Sequence, residues 1–83
     1  MGDKKNKSVY GSNGRLNFAK LWILLEKKHH NKLWLRENGI HSNTIQKLVN
    51  NENVTCDVLT RLCYLLECDV KNICEYEKPD NIK

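Results

Sequence analysis

Gly39 sits between two short amphipathic segments, and that placement constrains the fold more than any other feature of the chain. The stretch 31–50, NKLWLRENGIHSNTIQKLVN, reads as two short helices meeting in a tight turn at this glycine. A helix that ends in a left-handed residue most readily places glycine there, because a Cβ opposes positive φ. Asn31 is a good N-cap for the first of the pair, which covers residues 32–38 with Trp34 and Leu35 inward. Ile40 then plugs the turn into a core, and Ser42 is expected to cap the second helix, which reaches about residue 50. That helix is apolar on one side through Ile45, Leu48 and Val49. Its other side carries Ser42, Asn43, Gln46, Lys47 and Asn50, all able to hydrogen-bond a base edge or a phosphate.

Elsewhere the helical period recurs. Phe18, Leu21, Trp22 and Leu25 share one face of a helix expected from an Asn17 N-cap to about residue 28, with Leu16 as a hydrophobic staple against Leu21. Ile23 and Leu24 lie partly off that stripe, at the core's edge or against a partner subunit. Val54 is expected to tuck under the linker that follows residue 50. Thr55 caps a further helix, with Asp57 in its first turn and a wide apolar face from Val58, Leu59, Leu62, Cys63, Leu65 and Leu66. Asp69 opens a last helical turn over residues 70–74. The ending EYEKPDNIK stops at Pro79, with Tyr76 either packed back or in an extended edge. The expected fold is therefore all-α, a compact bundle of five short helices. It divides into a flexible basic arm (1–15), the helical domain (16–77) and a frayed tail (78–83).

The chain has 83 residues, room for one domain and one modest core. Residues 1–51 hold ten Lys or Arg against three acids (+7), whereas residues 52–83 hold four against seven (−3). The basic half contains the glycine-centred pair, the footprint expected of a polyanion partner. Lys4, Lys5, Lys7 and Arg15 give the arm the option of tracking phosphates or a minor groove, against the plainer reading of a solvated segment without contact. No apolar run approaches the roughly 20 residues of a membrane span, and nothing resembles a secretory signal, so no membrane association and a cytoplasmic location are expected. Cys56, Cys63, Cys68 and Cys74 lie seven, five and six residues apart. They lack the close C-x₂₋₄-C pair of a zinc site and read as reduced, buried thiols, with no metal or cofactor expected.

Two helices joined through a central glycine, the second amphipathic with a polar outer face, form the pattern of a helix-turn-helix. Such a helix lies in the major groove with one face on base edges and the other on its own domain. Asn43, Thr44, Gln46, Lys47 and Asn50 are left for contact. Gln and Asn pair bidentately with adenine, and Lys reaches guanine acceptors, so Asn43 and Gln46 are the expected base readers, with Lys47 at a base or on the backbone. Ser42 and His41, at the start of the helix, are placed for a phosphate, as are Asn31 and Lys32 before the turn and Asn51 and Asn53 after the helix.

The segments LNFAKLWILL, LWLRENGIHSNTIQKL and VTCDVLTRLCYLLECDVKNICEY together resemble the Cro/C1-type helix-turn-helix proteins, over residues 16–79. The resemblance implies a lambda-repressor-like fold and a transcriptional regulator, most simply a repressor from a bacterium or phage, that binds double-stranded DNA as a homodimer. It also implies a phosphate clamp at Asn31 and Lys32, where the family often has Gln or Thr, and a DNA-facing surface at Ser42, Asn43, Gln46 and Lys47. The residue four before the glycine, commonly Ala, is here Leu35.

Two other function classes are weaker. No paired carboxylates, phosphate-cradling glycine loop or nucleophile–base pair suggests an enzyme, and the adjacent His29 and His30 diverge. An antitoxin or protein-interaction module on the same fold is the alternative. Ile23, Leu24, Tyr64 and Tyr76 could anchor such a contact, whereas the polar face of the second helix favours DNA.

Overall fold

The computed structural model describes residues 13–79. In chain order the elements are strand β1 (Arg15–Asn17), helices α1 (Ala19–Lys27), α2 (Lys32–Glu37), α3 (Ser42–Val49) and α4 (Cys56–Leu66), a 3₁₀ turn (Val70–Asn72) and strand β2 (Glu75–Glu77). Four α-helices and a two-stranded sheet replace the expected five-helix bundle. The last predicted helix closes only as a 3₁₀ turn, held by a capping box between Asp69 and Asn72.

All four helices end alike. The residue after each C-cap is left-handed, at His29, Gly39, Asn51 and Glu67 as the α1 to α4 terminators in turn, except that Glu67 itself occupies the cap position of α4. Each closes a pair of backbone bonds, such as Ile40 N to Leu35 O at 3.0 Å with Gly39 N to Arg36 O at 3.2 Å. These bonds satisfy carbonyls that a helix end otherwise leaves open. Gly39, at φ 97°, is the only glycine among the four. A Cβ there would stand 2.8 Å from Arg61 Nη2.

The strands are the larger surprise. β1 pairs antiparallel with β2 in the register Arg15–Glu77, Leu16–Tyr76 and Asn17–Glu75. Arg15 Nε donates to Glu77 Oε1 at 2.7 Å and Asn17 Nδ2 to Glu77 Oε2 at 3.0 Å. Of the two alternatives for Tyr76, the strand takes the extended edge, and the Tyr76 hydroxyl donates to Asn13 O at 2.7 Å. Asn17 was expected as the N-cap of the first helix. It lies in β1 instead, although its Oδ1 still accepts from Ala19 N at 2.8 Å. Arg15, counted above with the basic arm, opens the strand; residues 1–12 of that arm and 80–83 of the tail lie outside the described residues.

The core gathers one face of every helix: Phe18, Leu21 and Leu25 with α1, Leu35 and Ile40 around the turn, Ile45 and Leu48 from α3, Leu62 and Leu66 from α4, then Ile73. Each side chain of this size contributes roughly 1.5–3 kcal/mol by leaving water. Some inward assignments fail. Val49 is 38% exposed, because it lies off the buried stripe of its helix; Ile23, expected off the stripe of α1, is exposed as well. Trp34 is only half-buried, stacked on the His30 ring at 3.8 Å. Of the cysteines Cys74 is buried, Cys63 and Cys68 are half-buried and Cys56 is exposed on the first turn of α4, contrary to four buried thiols. Burial, reinforced by neighbouring Cys63, pushes the Cys68 and Cys74 thiols up, which keeps them protonated and unreactive at neutral pH.

Candidate nucleic-acid interface

α3 is built for two environments. Ile45 and Leu48, three residues apart, are buried, while Ser42, Asn43, Gln46 and Lys47 are exposed on the opposite side. The chain enters it through His41, in extended conformation, whose Nδ1 accepts from Asn43 N at 3.2 Å. His41 is therefore the N-cap, and Ser42, expected in that role, is the first residue of the helix, its hydroxyl bonded to no other described residue. The sequence misled because serine is the commoner cap. A ring nitrogen two residues before the amide does the same work. Since that bond uses the Nδ1 lone pair, the N–H of the ring lies on Nε2.

The other expected contact residues fall into distinct groups. Asn31 caps α2, its Oδ1 accepting from Trp34 N at 3.0 Å, and is exposed beside Lys32. The Lys32 ammonium stands 5.8 Å from the Trp22 ring centroid, a cation–π distance that directs the side chain without neutralising it. Thr44 is half-buried, next to Gly39, His41 and Arg61. Asn50 Nδ2 donates to Glu52 Oε2 at 3.3 Å, and Asn53 is exposed.

Asn51 has a structural bond as well. Its Oδ1 accepts from Phe18 N at 2.8 Å across 33 residues, so the terminator of α3 caps the entry to α1. The bond commits the side-chain oxygen to holding the fold together; the Nδ2 amide, from which a phosphate would accept, takes no part in it. Nothing local in the sequence signals this bond. Arg61 was also missed. Its guanidinium lies over the turn at Gly39, and the only hint was its i+4 spacing from Asp57.

Among the described residues the two ion pairs, Arg15–Glu77 and Lys20–Glu75, both lie at the strands. Lys32 on α2 and Lys47 on α3 take part in neither pair and are exposed, as are Asn31, Ser42, Asn43 and Gln46. No acid occupies the first turn of α2 or α3. An exposed polar helix face with positive flanks, carried by two helices that a glycine joins, is a surface for a polyanion read from one groove.

The family model for the Cro/C1-type HTH DNA-binding domain matches residues 20–79. The chain belongs to that family. As a Cro/C1-type domain it is similar to a crystal structure of the transcriptional regulator VanUg, with 39% identity, 80% of this chain and 89% of that chain covered, and a TM-score of 0.75. No curated protein matches the chain. This Cro/C1-type domain is thus mostly helical with a small sheet, and its partner is DNA. Among the described residues none of its helices is long and apolar enough to cross a membrane.

Proposed function

We propose that the chain is a cytoplasmic, sequence-specific regulator of transcription that lays α3 in the major groove and acts as a repressor. The observation that carries this is the exposed face of α3. Ser42, Asn43, Gln46 and Lys47 offer side-chain donors and acceptors that no other described residue engages, while Ile45 and Leu48 anchor the helix from behind. Asn43 and Gln46 read base edges, and Lys47 reaches a guanine or the adjoining backbone. Asn31, Lys32, Ser42 and the Nε2–H of His41 hold phosphates on one side of the helix, and Asn53 on the other. Thr44 and Asn50 border this surface. Two copies placing their α3 helices about 34 Å apart would meet half-sites one helical turn apart. Occupying the groove is enough to exclude another protein, so repression requires no further surface.

A fluorescent duplex carrying the preferred site tests the reading. Affinity is expected to fall steeply as salt rises, as counterions are released from neutralised phosphates. Gln46→Ala should leave stability unchanged and relax preference at one base pair, at a cost of about 1–3 kcal/mol. No binding at low salt, or an affinity flat in salt, overturns the reading. An equal loss on every sequence moves Gln46 to a phosphate. The second reading, an antitoxin or protein-interaction module, is favoured by the apolar side chains left exposed away from α3, among them Ile23 and Tyr64.

A further inference from the structure

Each helix closes with a backbone bond spanning five residues, whose two ends commonly bring their side chains into contact. The pairs are Leu25 with His30, Leu35 with Ile40, Lys47 with Glu52 and Cys63 with Cys68. At α2 the pair is apolar and buried, the usual filling of this motif. At the end of α4 the same geometry sets two thiols side by side. Cys68 N donates to Cys63 O at 3.1 Å across the left-handed Glu67, and the Cys63 thiol is a hydrogen-bond partner of the Cys68 thiol. Both cysteines are half-buried, and both line the open groove that also holds Trp34 and Tyr64. The other two cysteines are placed differently. Cys74 is buried, and its thiol donates to Val70 O at 3.6 Å. Cys56 lies seven residues before Cys63 on the same helix. That is about 10 Å along the axis, out of reach of a disulfide, whose Cα atoms lie within about 7 Å of each other.

We infer that Cys63 and Cys68 form a reversible disulfide across the end of α4, by exchange with a small-molecule disulfide. The Cys63 sulfur attacks the S–S bond of the reagent, forming a mixed disulfide and expelling one reagent thiolate. Cys68 then attacks the Cys63 sulfur, the protein S–S bond forms and the second reagent thiolate leaves. Each leaving thiolate takes up a proton that a cysteine gave up, so the protein is oxidised by two electrons and the reagent is reduced by two. Burial keeps Cys68 protonated at neutral pH, inert toward reagents from outside. It therefore takes the second step, in which the fold holds the sulfur it attacks beside it. In a reducing cytoplasm the dithiol is the resting form, and the bond is a transient response to oxidation. Neither cysteine belongs to α3, so this chemistry is tested without DNA.

The test equilibrates the full wild-type chain with glutathione and glutathione disulfide at fixed ratios, traps free thiols by alkylation and digests with trypsin. Cleavage after Arg61 and Lys71 isolates residues 62–71, which carry Cys63 and Cys68 and no other cysteine. Closure should appear as this peptide lighter by two hydrogens and free of alkyl groups, and dithiothreitol should reverse it. The same equilibrium in urea reads the pair without the motif. The folded chain should close with an equilibrium constant at least about tenfold larger. Cys68→Ser should stop at the mixed disulfide on Cys63, and Cys63→Ser should leave Cys68 without glutathione. If either variant fails to fold, the wild-type comparison in and out of urea decides alone. A peptide that stays doubly alkylated under excess glutathione disulfide overturns the inference. So do mixed disulfides on both cysteines without closure, a bond to Cys74 in place of the pair, or equal closure in urea.

Discussion

The two ends of the recognition helix are held by side chain-to-backbone hydrogen bonds of opposite character. At its start, exposed His41 accepts from an amide two residues on, at 3.2 Å, a bond in contact with solvent. At its finish, half-buried Asn51 reaches 33 residues back to the amide of Phe18, at 2.8 Å, next to a ring with no exposed surface. The first bond is local and can break without disturbing anything else. The second ties α3 to the entry of α1 and to the core. The helix is thus pinned at its C-terminal end and lightly held at its N-terminal end.

The comparison breaks first at Asn51. Asn51→Ala strands the Phe18 N–H at a site water reaches poorly, and puts a Cβ without compensation at φ 56°. A loss of about 1–3 kcal/mol in urea denaturation is expected. Asn51→Gly keeps the backbone and loses only the acceptor, so it should cost less. Asn51→Asp, which keeps an acceptor, should cost least. If the Ala variant melts like the wild type, the pinned end is not pinned.

Next comes the turn that feeds the exposed end. Gly39→Ala forces a left-handed alanine, at about 1–2 kcal/mol, and crowds Arg61 at 2.8 Å. Arg61→Ala in the same background separates the two effects. A double variant less destabilised than the sum of the singles assigns part of the cost to the guanidinium, and strict additivity assigns all of it to φ. Smaller again is His41→Ala, expected to cost about 0.5–1 kcal/mol as a cap truncation, with His41→Asn restoring most of it. A loss at His41 equal to that at Asn51 would erase the difference between the ends.

The same contrast explains what could be read in advance. The glycine turn, the caps at Asn31 and Thr55 and the buried pair Ile45 and Leu48 were all legible, because each rests on neighbours within four residues. Ser42 was mistaken for the cap since histidine does that work seldom, although the helix start itself was placed within a residue. Asn51 and the pairing of Arg15 with Glu77 were not legible. Both join residues more than thirty positions apart, and three-residue strands are too short to show a period of two. The polar face of α3 was visible from periodicity; which of its flanking asparagines the fold would commit elsewhere was not.

The smallest expected effect lies at the strands, which lead straight into Phe18 and so support the pinned end from outside. The Arg15 guanidinium, then the Asn17 amide, hold the Glu77 carboxyl below the usual carboxylate range. In the folded chain Glu77 therefore keeps its charge to lower pH than in the unfolded one, and folding releases protons in that interval. Its contribution is complete above the unfolded carboxylate's pKa and disappears as pH falls through the depressed folded value. The site is fully open to water, where an ion pair is screened and weak. Glu77→Gln should accordingly melt slightly below the wild type near pH 7, and the two should converge as pH is lowered to about 2. If the strands brace the pinned end, Asn51→Ala and Glu77→Gln should be less than additive at neutral pH and additive in acid, where the pair is gone. Additivity at both pH values would show that Asn51 holds α3 with no help from the strands.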